Sequence, residues 1–368
     1  AVLRQRDQMR SHGGRVRTAE ALTERFQQAL PFELTDDQQA VIAEIDTDLT
    51  SGIPMHRLVQ GEVGSGKTVV AVRATVQVAE DGGQTALLAP TEVLASQHLR
   101  SIVNTLGPTL AADLVPTLLT GGLGAKERKR AELKVVSGQA RIVVGTHALL
   151  SEKLAFHDLG LVVIDEQHRF GVGQRDVLRQ KGTNPHVLIL TATPIPRTVA
   201  MTVFGDVDVS TIRGVPAGRQ PITTHVVSLS EHPDWFGRVW SRAEEEIDTG
   251  HQVFVVCSAI DAADADTEAG DDEVPVTGVE ELAAQLRQHP QLGKRRIGVV
   301  HGRLDSEEKD RVMTQFQAGA LDLLVATTVI EVGVDVPQAS TMIVMDADRF
   351  GISQLHQLRG RVGRGQLP

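Results

Sequence analysis

The chain has 368 residues, 41 % hydrophobic and 23 % charged, an ordinary globular balance with room for two domains; it excludes a fibrous or wholly disordered polymer. Its formal net charge is -10, but the stretch from Asp261 to Glu273 holds seven acids and no base, so the acidity is local and does not exclude a polyanionic ligand. A single cysteine excludes an intramolecular disulfide and a Cys-rich zinc site, and no apolar run reaches the ~18 residues needed to cross a bilayer.

In chain order, residues 1–30 are polar and arginine-rich and read as a lead-in helix or linker. PFELTDDQ, Pro31 to Gln38, reads as a helix start after Thr35. Short apolar runs then alternate with helix-like stretches: RLVQ at Leu58, ALLA at Leu87, RIVVG at Val143, LVVID at Val163 and VLILT at Ile189. Strands that read as continuously apolar are buried on both faces, so the alternation predicts an α/β fold with a parallel sheet. RGVPAGRQP, Arg213 to Pro221, has two glycines, two prolines and no periodicity, and reads as a connector. A second strand series follows: VFVVC at 253, RRIGVV at 295, LDLLVAT at 321 and TMIVMD at 341. The expected domains are 31–217 and 218–368, with a flexible acidic insertion at about 261–276. Cys257, inside VFVVC, reads as a buried structural thiol.

The chemistry concentrates in three stretches. GEVGSGKT, Gly61 to Thr68, follows a strand and precedes a helix, the context in which G-x-x-x-x-G-K-[ST] cradles phosphates. Gly61, Gly64, Ser65 and Gly66 then present backbone N–H groups, Lys67 reaches the outer phosphates, and Thr68 holds magnesium at the helix start. In LVVIDEQH, an apolar strand delivers Asp165 as a second magnesium ligand and Glu166 to polarise the attacking water. QLRGRVGRG, Gln357 to Gly365, puts three arginines among glycines; Arg361 and Arg364 read as cations that neutralise charge on a transferring phosphoryl group.

Together these stretches resemble the superfamily 2 helicases and translocases, over about Pro31 to Pro368. The resemblance implies two RecA-like domains in tandem, each a mostly parallel sheet flanked by helices, with ATP and Mg2+ bound between them. DEQHRFGVGQR (165–175) and TATPIPRTVAMTVFGDVDVSTI (191–212) resemble the bacterial branched-DNA translocases of that superfamily. Transcription-repair coupling translocases share TATPIPRT and rank second; an RNA-dependent DExH ATPase shares every phosphate motif; a nucleotide-gated scaffold without turnover is a further reading.

The resemblance implies roles residue by residue. Gln38 contacts adenine, Asp335 the ribose, and Gln357 opens the arginine motif beside the catalytic Lys67, Glu166, Arg361 and Arg364. Gln167, His168, Thr191 and Thr193 couple hydrolysis to DNA. Nucleic-acid phosphates are met by Thr91, by Thr120, Gly121 and Gly122, by Thr146 and His147 of the GTH stretch that begins at Gly145, by His301 and Arg303 of HGR, and by Thr327. KERKR, Lys126 to Arg130, reads instead as a solvated helix face. Only 3 % of residues are aromatic and none is tyrosine, so platforms for stacking single-stranded bases are scarce and tracking of the duplex or branched DNA backbone is expected. The resemblance also implies a wedge domain and a C-terminal segment outside this chain, a monomer, and a bacterial cytoplasmic setting away from membrane. Glu62 stands where the family more often has Asp.

Overall fold

The computed structural model describes residues 21–151, 154–165, 181–182, 184–192, 207–213, 222–229, 231–232, 234–261, 277–327, 336 and 338–363. They fall in two compact units, 1–216 and 217–368.

The first unit runs α1 (Leu22–Ala29), α2 (Asp36–Thr50), β1 (His56–Gly61), α3 (Lys67–Glu80), β2 (Gln84–Leu88), α4 (Glu92–Leu114), β3 (Thr117–Leu119), α5 (Ala125–Val136), β4 (Ile142–Gly145), β5 (Leu159–Asp165), β6 (His186–Thr191) and β7 (Asp208–Ile212). Its seven strands form one sheet in the order β3-β4-β2-β5-β6-β1-β7, parallel throughout. The central strands are the apolar runs of the sequence, and Leu58, Leu88, Val143, Val162 and Ile189 meet in one core beneath them. Two strands escaped the sequence reading. β7 is an edge strand with mixed burial, so DVSTI shows no apolar run. β3 has only three residues, too few to carry a pattern.

Helix α3 is apolar almost all round and is covered by α1, α2 and α4. Its one inward cation, Arg73, pairs with Asp46 of α2 at 2.9 Å. Burial raises the Asp46 carboxyl above its ordinary range while Arg73 pulls it back. The expected lead-in segment contributes to this packing: Phe26 of α1 is fully buried and Thr23 donates to Glu80 of α3. Residues 126–130 lie on the outer side of α5, as a solvated face requires.

The second unit runs α6 (Trp235–Asp248), β8 (Gln252–Val256), α7 (Val279–Gln288), β9 (Ile297–Val300), α8 (Ser306–Gln317), β10 (Leu323–Ala326), β11 (Ala339–Val344) and α9 (Ile352–Arg359). Its sheet has the order β11-β8-β10-β9, again parallel. Cys257 follows β8, is fully buried, and has its thiol pushed up to about 12 by burial and then by Asp346. It is the inert structural thiol that the apolar run predicts. These are two tandem α/β units of the RecA-like kind.

Candidate nucleotide and nucleic-acid site

In a parallel sheet every strand ends on the same edge, and loops leaving that edge form the ligand crevice. Register fixes who stands beside whom there. Gln60 of β1 pairs with Thr191 of β6, and Leu190 of β6 pairs with Asp165 of β5. The phosphate-loop strand and the acid-bearing strand are thus separated by one strand, about 10 Å at ordinary spacing. On the other side of β5, the ends of β2, β4 and β3 carry Thr91, Gly145 to His147 and Thr120 to Gly122. One edge therefore carries both the phosphate loop and the loops that the resemblance sets against nucleic acid.

The phosphate loop is built for an anion. Gly64 and Gly66 have φ of 86° and 84°, conformations open to glycine at little cost, and Gly66 caps the amino end of α3. A Cβ at Gly66 would collide with Gln38 Nε2. Ser65 Oγ is buried with no partner among the described residues. Lys67 Nζ donates to the carbonyls of Gly61 (2.7 Å) and Glu62 (2.9 Å), so the ammonium lies folded over its own loop. A helix start, a seated lysine and an orphaned hydroxyl match a polyphosphate. Thr68 lies in the first turn of α3 and Asp165 ends β5. A hydroxyl, one carboxylate, phosphate oxygens and waters are the donor set magnesium takes. No cluster of three or more His, Cys, Asp or Glu able to hold a metal occurs among the described residues.

Gln38, read as the adenine contact, is buried and fully engaged with protein. Its Oε1 accepts Thr35 N–H (2.9 Å) in a capping box, and its Nε2 donates to Ser65 O (2.8 Å). In this state it fastens α2 to the phosphate loop. The same helix is tied to β1 and β7 through buried Arg57, which bonds Asp48 (2.7 Å), Glu44 (2.9 Å) and Ser210 (2.7 Å). Exposed Phe32 borders an open groove of about 800 Å³ with Leu34, Gln39 and Asp46, on the face of α2 that carries Gln39.

The loops read as nucleic-acid contacts divide by exposure. Thr91 caps α4, its hydroxyl accepting Leu94 N–H. Thr120 and Thr146 are 3 % and 1 % exposed, so the groups of their motifs that face solvent are Gly121, Gly122 and His147. The Gly122 N–H donates to Glu92 Oε1 at 2.8 Å; a carboxylate holds the place where the resemblance sets a DNA phosphate. A Cβ on Gly145 would collide with the Leu119 carbonyl, which explains the glycine of GTH.

In the second unit, His301 is buried and its Nε2 lies 2.7 Å from Glu280. Arg303 is half-exposed and pairs with Asp261, and Thr327 is buried at the end of β10. Gln357 and Arg361 are 5 % and 7 % exposed, the latter in the turn after α9, not on an open surface loop. Gly363, at φ 67°, donates its N–H to Ala339 O and so ties that turn to β11. Glu166, Gln167, His168, Thr193, Asp335 and Arg364 lie outside the described residues.

The sequence reading missed His98. Its Nε2 lies 2.8 Å from Asp165 Oδ2, and both side chains are largely buried. The available signal was a lone polar residue in the apolar stripe Leu94, His98, Ile102, Leu106, Leu110.

Two family models match, DEAD/DEAH box helicase over residues 35–202 and Helicase conserved C-terminal domain over 239–366. The chain is 53 % identical over 350 residues to the ATP-dependent DNA helicase RecG of Mycobacterium tuberculosis, covering 92 % of this chain and 47 % of that protein. The chain belongs to the superfamily 2 helicases. This helicase core is also 49 % identical over 337 residues to RecG of Streptococcus pneumoniae, again 92 % of this chain and 48 % of the relative. A solved structure of RecG bound to a three-way DNA junction superposes with a TM-score of 0.76 at 40 % identity, over 99 % of this chain and 45 % of that one. Mss116p bound to ssRNA and AMP-PNP shares the fold, at a TM-score of 0.67 and 17 % identity over 95 % of this chain and 71 % of that chain. The helicase core spans about half the length of the curated relatives it matches. Among the described residues, no helix is long and apolar enough to cross a membrane.

Proposed function

We propose that this chain is the ATP-driven motor core of a bacterial DNA translocase acting on branched DNA, which in the full-length protein drives fork reversal and Holliday-junction branch migration. The observation that carries the reading is the single sheet edge on which the phosphate loop after β1 and Asp165 at the end of β5 stand beside the Thr91 and Thr120–Gly122 loops. ATP seats its phosphates on the amino end of α3, where Lys67 leaves its carbonyl partners to meet them. Thr68 and Asp165 hold magnesium, which neutralises phosphate charge when bound. Glu166 orients and polarises water, and Gln357, Arg361 and Arg364 are the second unit's contribution to charge on the transferring phosphoryl group. Asp335 meets the ribose, while Gln167, His168, Thr191 and Thr193 relay nucleotide state. DNA is held through its phosphates by Thr91, Gly121, Gly122, His147, Arg303 and the buried hydroxyls and imidazole of Thr120, Thr146, Thr327 and His301 once these motifs open. The protein works as a monomer in the cytoplasm.

The test is ATP turnover measured with junction DNA, plain duplex, single strands and RNA. Junction or duplex DNA should stimulate most, with a steep fall in binding as salt rises. Lys67→Ala should lower turnover by at least ~10²-fold. Stimulation by RNA alone, or unchanged turnover in Lys67→Ala, overturns the reading.

A further inference from the structure

A polar side chain inside an apolar helix stripe requires a buried partner. His98 stands in the core-facing row of α4, between Leu94 and Ile102, and its partner is the acid at the end of β5. An ionised carboxylate only accepts, so Nε2 of His98 carries the proton and donates to Asp165 Oδ2. The bond fixes Oδ2 and with it the orientation of the carboxylate. The same helix begins at the loops read as nucleic-acid contacts: Thr91 caps it, and Glu92, its first residue, receives Gly122 N–H. Glu92 and His98 are six residues apart, about 9 Å along a helix. The first two turns of α4 therefore join the loop that would meet DNA phosphates to the acid that would hold magnesium.

We propose that His98 is a positioning residue for Asp165, which orients that carboxylate for magnesium and passes movement of the Glu92–Gly122 face to it through α4. The proposal rests on the motor reading above. Outer partners of a metal ligand typically change metal affinity ~10 to 100-fold when removed. Displacement of Glu92 by a DNA phosphate would shift the start of α4, and a rigid helix carries that shift to His98. Asp165 then feels the arrival of DNA without touching it.

The experiment uses the full 368-residue chain with a fluorescent ADP analogue titrated at a series of Mg2+ concentrations and in excess EDTA, next to ATP turnover with and without junction DNA. His98→Ala should raise the Mg2+ needed for half-maximal nucleotide binding about tenfold, leave affinity in EDTA as in the wild type, and lower the ratio of DNA-stimulated to unstimulated turnover. His98→Gln carries an amide N–H donor of similar reach and should recover most of the metal dependence. Thermal melting without nucleotide establishes that both variants are folded. If folded His98→Ala keeps the wild-type Mg2+ dependence, or if His98→Gln is as impaired as His98→Ala, the proposal is overturned. Failure of the motor reading is separate: it appears as Lys67→Ala turning over ATP like the wild type, whatever His98 does.

Discussion

Both units begin their second structural layer with the same stitch, and only one of them completes it. Gln84 opens β2 in the first unit; its Nε2 donates to Val135 O and Ala140 O, and its Oε1 accepts the N–H groups of His157 and Asp158. Gln252 opens β8 in the second; its Nε2 donates to Phe316 O and Leu321 O, while its Oε1 has no partner among the described residues. Each amide closes the gap between a helix end and the strand that follows it, at the edge opposite the proposed ligands. The difference teaches that the two sheets share a plan but not a degree of fixation. Through this amide the first unit ties four groups at the base of its sheet; among the described residues the second ties two.

The comparison breaks most readily at those two residues. Gln84→Ala leaves the Ala140 carbonyl and the N–H groups of His157 and Asp158 without their amide partner, while Val135 O keeps the Gly138 N–H, an expected loss of roughly 2 to 3 kcal/mol. Gln252→Ala leaves only the Leu321 carbonyl without its amide partner, since Phe316 O keeps the Gly319 N–H, roughly 1 kcal/mol. Both tryptophans, Trp235 and Trp240, lie in the second unit, so their fluorescence follows that unit while far-ultraviolet circular dichroism follows both. In urea, Gln84→Ala should bring forward a dichroism transition that fluorescence does not track, and Gln252→Ala should move the fluorescence transition. Coincident shifts of both signals in either variant would show that the units unfold as one, and the contrast would fail.

Next in size is a pair of glycines with similar backbone and different surroundings. Gly66 (φ 84°) has Gln38 against it, whereas Gly250 (φ 88°), after α6, has open space where a Cβ would go. Gly66→Ala adds left-handed strain to the loss of the Gln38 bond, about 2 to 3 kcal/mol, so nucleotide affinity should fall roughly 30 to 150-fold. Gly250→Ala carries only the backbone cost of about 1 kcal/mol, read in the tryptophan transition, with nucleotide affinity unchanged. Equal nucleotide affinity in wild type and Gly66→Ala would mean that the cradle is not made by this turn.

What the sequence made legible follows the same physics. The nine apolar runs named nine strands; in the interior ones burial on both faces leaves no polar alternation, while β9 and β11, at the edges of the second sheet, are apolar but only partly buried. GEVGSGKT named its own strand-turn-helix because an αL glycine before a helix is a local requirement, readable without tertiary contacts. What remained hidden depends on partners distant in sequence. Asp165 announces a possible ligand, but nothing near it announces His98, 67 residues away. Gln38 reads as a base contact by resemblance, and only the fold shows that its amide also bonds Thr35 and Ser65. The hydroxyls of Thr120 and Thr146 looked available because a sequence does not show which end of a parallel sheet packs over itself.

Acid should separate the units by the smallest of the effects. His186, at the start of β6, accepts the Met55 N–H on Nδ1 at 3.0 Å. Burial lowers its pKa below 6.5, with the charge of Asp48 opposing. Protonation would set a donor against a donor. The folded first unit thus binds fewer protons than the unfolded chain near neutrality, and its stability rises with pH. That contribution is complete above the unfolded histidine value of about 6.5 and is lost as pH falls from there through the lower folded value. An acid-sensitive pair of the second unit is Asp322 with Arg296. Asp322, bonded by Arg296, is held below 3.8, so its contribution persists above the carboxylate range and is lost only as pH falls through that lowered value. Urea midpoints taken between pH 7.5 and 5 should therefore decline for the dichroism component of the first unit and hold for the tryptophan signal. His186→Asn, whose side-chain oxygen can take the Met55 N–H without titrating, should flatten the decline. A decline that survives this substitution would place the acid sensitivity in another group and remove this distinction between the halves.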